Sequence, residues 1–268
     1  MKILLLLPIL FSSIHYAQDA KAAEECFKKA DYKCAEEQYS KLAGQEKIQK
    51  FQSEYYNNLG TSQRRLGKTS LAFKSYESAL KANPLSAQVY ANLASLHGQR
   101  GSKAKALEYV NKGLQIEPEN VEMYLTRSRI YDDTGKKDLA AQDLNQILSF
   151  DPENIYARTG LANLKKNNGD LEGALKDYNR LLAEKPESLL YTGRADVYFK
   201  MKKTKEAFAD VNKAISIDPT FAQSYVTRAL ILFDSGKDKE ACSNLDKAVN
   251  LGYEKTILTD YYTRCEKK

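Results

Sequence analysis

Histidine is almost missing from this chain of 268 residues: His15 falls in an apolar N-terminal segment, and only His97 lies beyond it. No Gly-x-Ser-x-Gly elbow stands with that histidine, so a hydrolase triad has nothing to assemble from. On the packing stripe of a helix, His97 is expected as a satisfied core residue. Cysteine is nearly as sparse, and none of the four has the spacing of a zinc motif. The thirteen glycines form no phosphate-cradling loop, which removes the nucleotide-binding motifs. No Pro/Gly-rich linker or low-complexity tract marks a second domain. The longest apolar run, Ile3 to Phe11, falls short of the roughly 20 residues that span a bilayer. Adjacent acids on a helix point about 100° apart, so Asp132 and Asp133 are expected as a solvated helix end and not as the acid/base pair of a polysaccharide hydrolase. The chain therefore reads as non-enzymatic, without cofactor or metal.

Charge of one sign is lacking as well. The net charge of +6 is mild for this length, and Lys68, Lys103, Lys105, Lys136 and Lys137 alternate with acids instead of forming one basic block. No nucleic-acid partner is expected. The charge serves solubility, with at most a weak attraction to acidic envelope surfaces.

What the chain has is a repeat. Between Ser53 and Pro84, Tyr56, Leu59, Gly60 and Gln63 fall at i, i+3, i+4 and i+7, one stripe of a first helix. Ala72, Tyr76 and Ala79 mark a stripe on a second, and Gly67 between them suits the left-handed residue that ends a helix. Pro84 cannot continue a helix interior, so the unit closes there. The small residue early in the second helix recurs at Ala35, Ala72, Ala106, Ala140, Ala174, Ala207 and Ala241, at gaps of 37, 34, 34, 34, 33 and 34 residues. Turn glycines recur at Gly67, Gly101, Gly135, Gly169 and Gly236, and closing prolines at Pro84, Pro118, Pro152, Pro186 and Pro219. Tyr56, Tyr90, Tyr124, Tyr191 and Tyr225 open the first helices, and Ser86, Asn120, Asn154, Ser188 and Thr220 offer N-cap oxygens just before them.

This succession of an aromatic, a Leu-Gly pair, a turn glycine, an alanine, an aromatic, an alanine and a closing proline resembles the tetratricopeptide repeat, from about Asp19 to Tyr253. Tyrosine stands where that family often has tryptophan, Lys202 replaces one turn glycine, and Arg158 replaces one opening aromatic. The resemblance implies an all-α fold, a right-handed α-α superhelical solenoid of about seven helical hairpins plus a C-terminal capping helix. Residues 18–52 would form an N-terminal capping hairpin, 53–253 six repeats, and 254–268 the capping helix. The gap of 37 places three extra residues near Gln45 to Lys50, as a longer connection or a longer helix end. The gap of 33 removes one residue from the connection before Ser188. Arg127, Arg194 and Arg228 stand where the family has leucine, and are expected to pair with Asp143, Asp177 or Asp210.

Residues 1–17 differ in kind: Lys2, an apolar run, then a polar exit. They read as a signal peptide cleaved after Ala17, which places the protein in a bacterial periplasm or outside the cell and leaves it without stable membrane insertion. Export turns the cysteines toward disulfides. A stack of hairpins keeps its ends apart, so Cys26 is expected to pair with Cys34, and Cys242 with Cys265.

Binding is what the resemblance offers. The face beside the packing stripe of the first helices lines the concave groove of the family. Here it is assigned Asn57, Thr61, Arg64, Asn92, Ser95, Gln99, Arg129, Asp132, Thr159, Asn163, Lys166, Asp196 and Lys200. That lining is polar and rich in amides, suited to an extended peptide or a polar helix. The clamp that one subclass uses on chaperone tails is absent: Asn92 fits it, but Asn57, Thr61, Glu122 and Thr126 replace its other members. The expected function is a scaffold that binds a protein or peptide in this groove. The alternative is a spacer or assembly factor of an envelope complex, docking through its ends or convex face.

Overall fold

The computed structural model describes residues 7–265, and among them every regular element is helical. Of the segment read as a signal peptide, residues 1–6 lie outside the described residues, as do 266–268 at the other end. Seven hairpins follow one another: α1 (Leu7–Lys28) with α2 (Tyr32–Gln45), α3 (Gln49–Arg65) with α4 (Thr69–Ala82), α5 (Ala87–Gln99) with α6 (Lys103–Ile116), α7 (Val121–Asp133) with α8 (Lys137–Phe150), α9 (Ile155–Asn167) with α10 (Leu171–Glu184), α11 (Ser188–Lys200) with α12 (Thr204–Ile217), and α13 (Ala222–Asp234) with α14 (Asp238–Asn250). A 3-10 turn, Lys255–Leu258, leads into a short α15 (Thr259–Cys265). No helix among the described residues is long and apolar enough to cross a membrane.

The hairpins form two compact units, one up to Asp143 and one from Leu144. In the first, Ala72, Tyr76 and Ala79 of α4 close on Val89, Leu93 and Leu96 of α5, and Val110 and Leu114 of α6 meet Met123 of α7. In the second, Ala174, Tyr178 and Leu181 of α10 pack on Leu190 and Val197 of α11, and α13 and α14 share Tyr225, Leu232, Ala241 and Leu245. All seven periodic alanines are completely buried. Small residues let the helices approach, and the tyrosine rings fill the space left beside them. A Cβ built on Gly60 would lie 2.8 Å from two carbons of the Tyr76 ring, and one on Gly193 would collide with the ring of Tyr178.

Five hairpin turns close as the glycine pattern predicts. At Gly67 the backbone is left-handed, with φ +73°, and the Lys68 amide reaches back 2.8 Å to the carbonyl of Gln63. Gly101, Gly135, Gly169 and Gly236 repeat the conformation, and Lys202 adopts it without being a glycine, at φ +63°. Ala30 does the same in the first turn, at φ +57°.

Two irregularities of the repeat resolve at helix ends. The three extra residues, with one more drawn from the connection before it, lengthen α3 to 17 residues, where the later first helices have 13. The lost residue comes out of the connection after α10, which is Lys185–Glu187. The N-caps depart from expectation. Asn120 and Asn154 cap with their side chains, each accepting a 3.0 Å bond from the amide three residues on. Ser86 occupies the cap without such a bond, Ser188 is already inside α11 behind Glu187, and Thr220 precedes the cap Phe221 and turns its hydroxyl to Asp218. The aspartate at 218 competes for that hydroxyl at close range, so the local turn wins over the cap.

The arginines pair within their own hairpins. Arg127 grips Asp143 through two bonds of 2.9 and 2.7 Å, and Arg194 grips Asp210 at 2.7 and 2.8 Å. Each also bonds an asparagine of the preceding second helix, Asn111 or Asn179, and lies over a tyrosine ring of its own helix. Arg228 departs: its partners are Asn244 and Asn212, both neutral. Asp177 goes to Lys165 instead, at 2.6 Å. Arg158, in place of an opening aromatic, is held by Glu153 and Glu184.

Both expected disulfides are formed. Cys26 joins Cys34 with Cα atoms 5.7 Å apart, across the first turn, and Cys242 joins Cys265 at 5.8 Å, fastening α15 to α14.

Candidate functional site

Side chains of the first helices were assigned to a binding face, and their surroundings decide what that face can do. In the first unit, Asn92 of α5 donates a 2.8 Å bond to Asn57 of α3, so two consecutive first helices are joined by an amide pair. Thr61 lies one turn beyond Asn57, where its hydroxyl meets the Asn57 carbonyl at 3.0 Å and the Tyr76 hydroxyl at 3.1 Å. The Nε of Arg64 is buried without a hydrogen-bond partner. Leaving such a donor unbonded is costly, and because the atom is buried it presents no surface to a ligand. Ser95 and Asp132 are half-buried, while Gln99 and Arg129 are exposed.

The second unit is more tightly tied. Asn163 of α9 accepts a 2.9 Å bond from the Tyr178 hydroxyl, the counterpart of the Thr61 and Tyr76 contact. Burial raises the Tyr178 phenol far above its ordinary range, so it stays a neutral donor. Lys166 lies 3.4 Å from Asp196 of α11, which also accepts a 2.9 Å bond from Thr227 of α13. Thr159 is buried and its hydroxyl is unbonded, so it presents no surface; Lys200 is exposed at the end of α11.

The structure thus brings together Asn57 with Asn92, and Lys166 with Asp196. Gln99, Arg129 and Lys200 stand exposed. Three members of this polar layer escaped the sequence reading: the hydroxyls of Tyr76, Tyr178 and Thr227. The repeat held the signal for the last, since Asn58, Asn92 and Thr227 all stand fourteen residues before a periodic alanine.

Among the described residues no group of histidine, cysteine and carboxylates is placed to hold a metal ion. His97 lies between Phe73, 4.7 Å away, and Tyr109, stacked at 5.3 Å. Burial, then the nearby charges of Lys105 and Arg100, holds its imidazole below the ordinary histidine range. The Asp133 carboxylate is 3.8 Å from Lys103.

Hairpins on a period of 34 residues, with polar side chains along consecutive first helices, define a helical-repeat scaffold. The family described as the ETO1 C-terminal domain matches residues 36–224. A tetratricopeptide repeat protein from Parabacteroides merdae is 32% identical, the likeness covering 92% of this chain and 96% of that one with a TM-score of 0.76. This chain belongs to the tetratricopeptide repeat family, a class of protein-interaction scaffolds that is in general non-catalytic. More distant structures share the fold alone. The APC/C hetero-tetramer Cut9–Hcn1 is 14% identical over 90% of this chain and 47% of that one, with a TM-score of 0.62. Yeast Tom70 is 18% identical over 88% and 60%, with a TM-score of 0.54. No curated protein matches the chain.

Proposed function

We propose that this chain is exported to the bacterial periplasm or beyond after losing residues 1–17, and there binds a peptide or protein partner along its first helices. The observation that carries the reading is the polar layer itself. Asn57, Asn92 and Thr61 offer amide and hydroxyl groups in succession. Side-chain amides both donate and accept, so a row of them can bond the alternating N–H and C=O groups of an extended chain. The charge is mixed and the aromatic rings are used in packing, which fits a polar ligand better than an apolar one. Export is supported by the leader pattern and by two disulfides, which persist in oxidising compartments.

A photoreactive residue placed at Arg129 in intact cells tests this. It is expected to capture a partner, and the Asn57→Ala/Asn92→Ala variant is expected to lower the yield about tenfold, the loss of roughly one good polar contact. Capture from Glu77 on α4, unaffected by those substitutions, would instead establish a spacer that docks elsewhere on its surface.

A further inference from the structure

The sequence scatters its lysines and arginines, but folding gathers those of the first unit. Its four hairpin turns lie side by side, and four contacts show it. Lys68 of the second turn reaches Glu36 beside the first, at 2.6 Å, and the Arg65 guanidinium lies over Tyr32, at 5.9 Å. Arg100 of the third turn lies over Phe73, 5.4 Å from the ring, and Lys103 reaches Asp133 beside the fourth. Together the windows 28–36, 64–71, 98–105 and 132–139 carry eleven lysines and arginines against five acids. The connections at the opposite end of the same hairpins, 46–54, 81–88 and 115–122, carry three against five. One edge of this unit is therefore strongly basic and the other is not.

Three leucines stand exposed on the basic edge. Leu66 and Leu71 flank the second turn at 37% and 45% exposure, and Leu139 follows the fourth at 38%. Leu66 and Leu71 lie within one helical turn of Arg65 and Lys68. The amide ends of α4 and α6 open on the same edge with no side-chain cap bond.

The geometry points to a second interaction surface, adjoining the first-helix face at Arg64, Gln99 and Asp132: the turn edge of the first unit binds the surface of a bilayer that contains anionic phospholipid. Cations are drawn to the headgroup phosphates, and neighbouring aliphatic side chains enter the boundary between headgroups and acyl chains. Nucleic acid fits this edge less well. A single strand needs free aromatic faces for its bases, and here Tyr32 and Phe73 lie under guanidinium groups.

The chain has no tryptophan, so one placed on the edge reports on that edge alone. Leu71→Trp is one reporter and Leu139→Trp a second, should the first lower the helical content. Leu85→Trp, at a side chain 72% exposed on the opposite edge, is the control. The full chain is mixed with vesicles of phosphatidylglycerol and phosphatidylcholine whose acyl chains carry bromine. The edge reporters are expected to be quenched and the Leu85→Trp control to be spared. Vesicles of phosphatidylcholine alone should quench neither. Adding Arg65→Glu, Lys105→Glu and Lys136→Glu should raise the lipid concentration for half-quenching at least about tenfold, since each cation near such a surface contributes severalfold. The proposal is overturned if the edge reporters stay unquenched, as when the N-terminal segment alone anchors the chain. Equal quenching by neutral vesicles overturns it too, as does a response to heparin or an oligonucleotide at lower concentration than to vesicles, which would assign the edge to an anionic polymer.

Discussion

Lys202 holds a backbone angle that its counterparts in five other hairpins leave to glycine. A Cβ in the left-handed region costs about 1 kcal/mol or more, so Lys202→Gly should raise the stability of the chain by about 1 kcal/mol, read as a higher urea midpoint at unchanged slope. The side chain is exposed, so little packing is lost. Arg228 shows the reverse economy of charge. Its two companions are stabilised in the charged form by hydrogen bonds to Asp143 and Asp210, whereas burial without a carboxylate pulls Arg228 below its ordinary range. His97 gives a pH dependence. Because its folded pKa lies below the unfolded value of about 6.5, the unfolded chain takes up the proton first. Its contribution is complete above that value and is lost as the pH falls below it. Measured against His97→Phe, the parent chain should lose ground between pH 7.5 and 5, and a constant difference in urea midpoint would show that the imidazole is not shielded.

Helices were the most legible level of this protein, because each carried several independent marks. Ala72, Gly67 and Pro84 fixed one hairpin three times over, and the same triplet recurs down the chain. Their ends were less legible: Ser188 and Thr220 have the chemistry of caps, yet a nearby Glu187 or Asp218 shifted the boundary by one residue. The final element depends least on its own sequence. At seven residues α15 is too short to stand alone. It is held by the Cys242–Cys265 bridge, by Arg264 bonding the Phe233 carbonyl and Asp238 at 2.9 Å each, and by Tyr262 bonding Asp246. Burial and that carboxylate push the Tyr262 phenol up to about 12. Beneath it Leu258 is buried in the last core. The bridge closes a loop with a sequence separation of 23, worth about 3 kcal/mol in chain entropy. Cys242→Ser/Cys265→Ser should therefore leave the amides of α15 exchanging freely, while those of α13 remain protected; protection unchanged in α15 would mean that the polar contacts suffice.

At the scale of the molecule, the fold could be read from spacing because every repeat repeats the evidence, whereas the candidate site could not, because it varies from repeat to repeat. Nothing in the sequence said that Thr159 would be buried, that Tyr178 would reach Asn163, or that the turn cations would align on one edge of the first unit. Those facts depend on neighbouring hairpins and not on the local pattern. The same nearest-neighbour logic governs stability. A hairpin repeat buries its apolar stripe on adjacent hairpins alone, so damage should spread by contact and fade with distance along the chain. Gly60 offers the test, since any larger side chain there must displace the Tyr76 ring that fills the α3–α4 interface. Gly60→Val is expected to cost about 3 kcal/mol through overpacking, which outweighs the small gain of replacing glycine by a better helix former. Hydrogen exchange should then accelerate in α3, α4 and α5, whose core residues meet around Tyr76, and leave α13 and α14 as protected as before. Uniform acceleration over all hairpins would show a single cooperative body, in which case the boundary at Asp143 carries no energetic meaning.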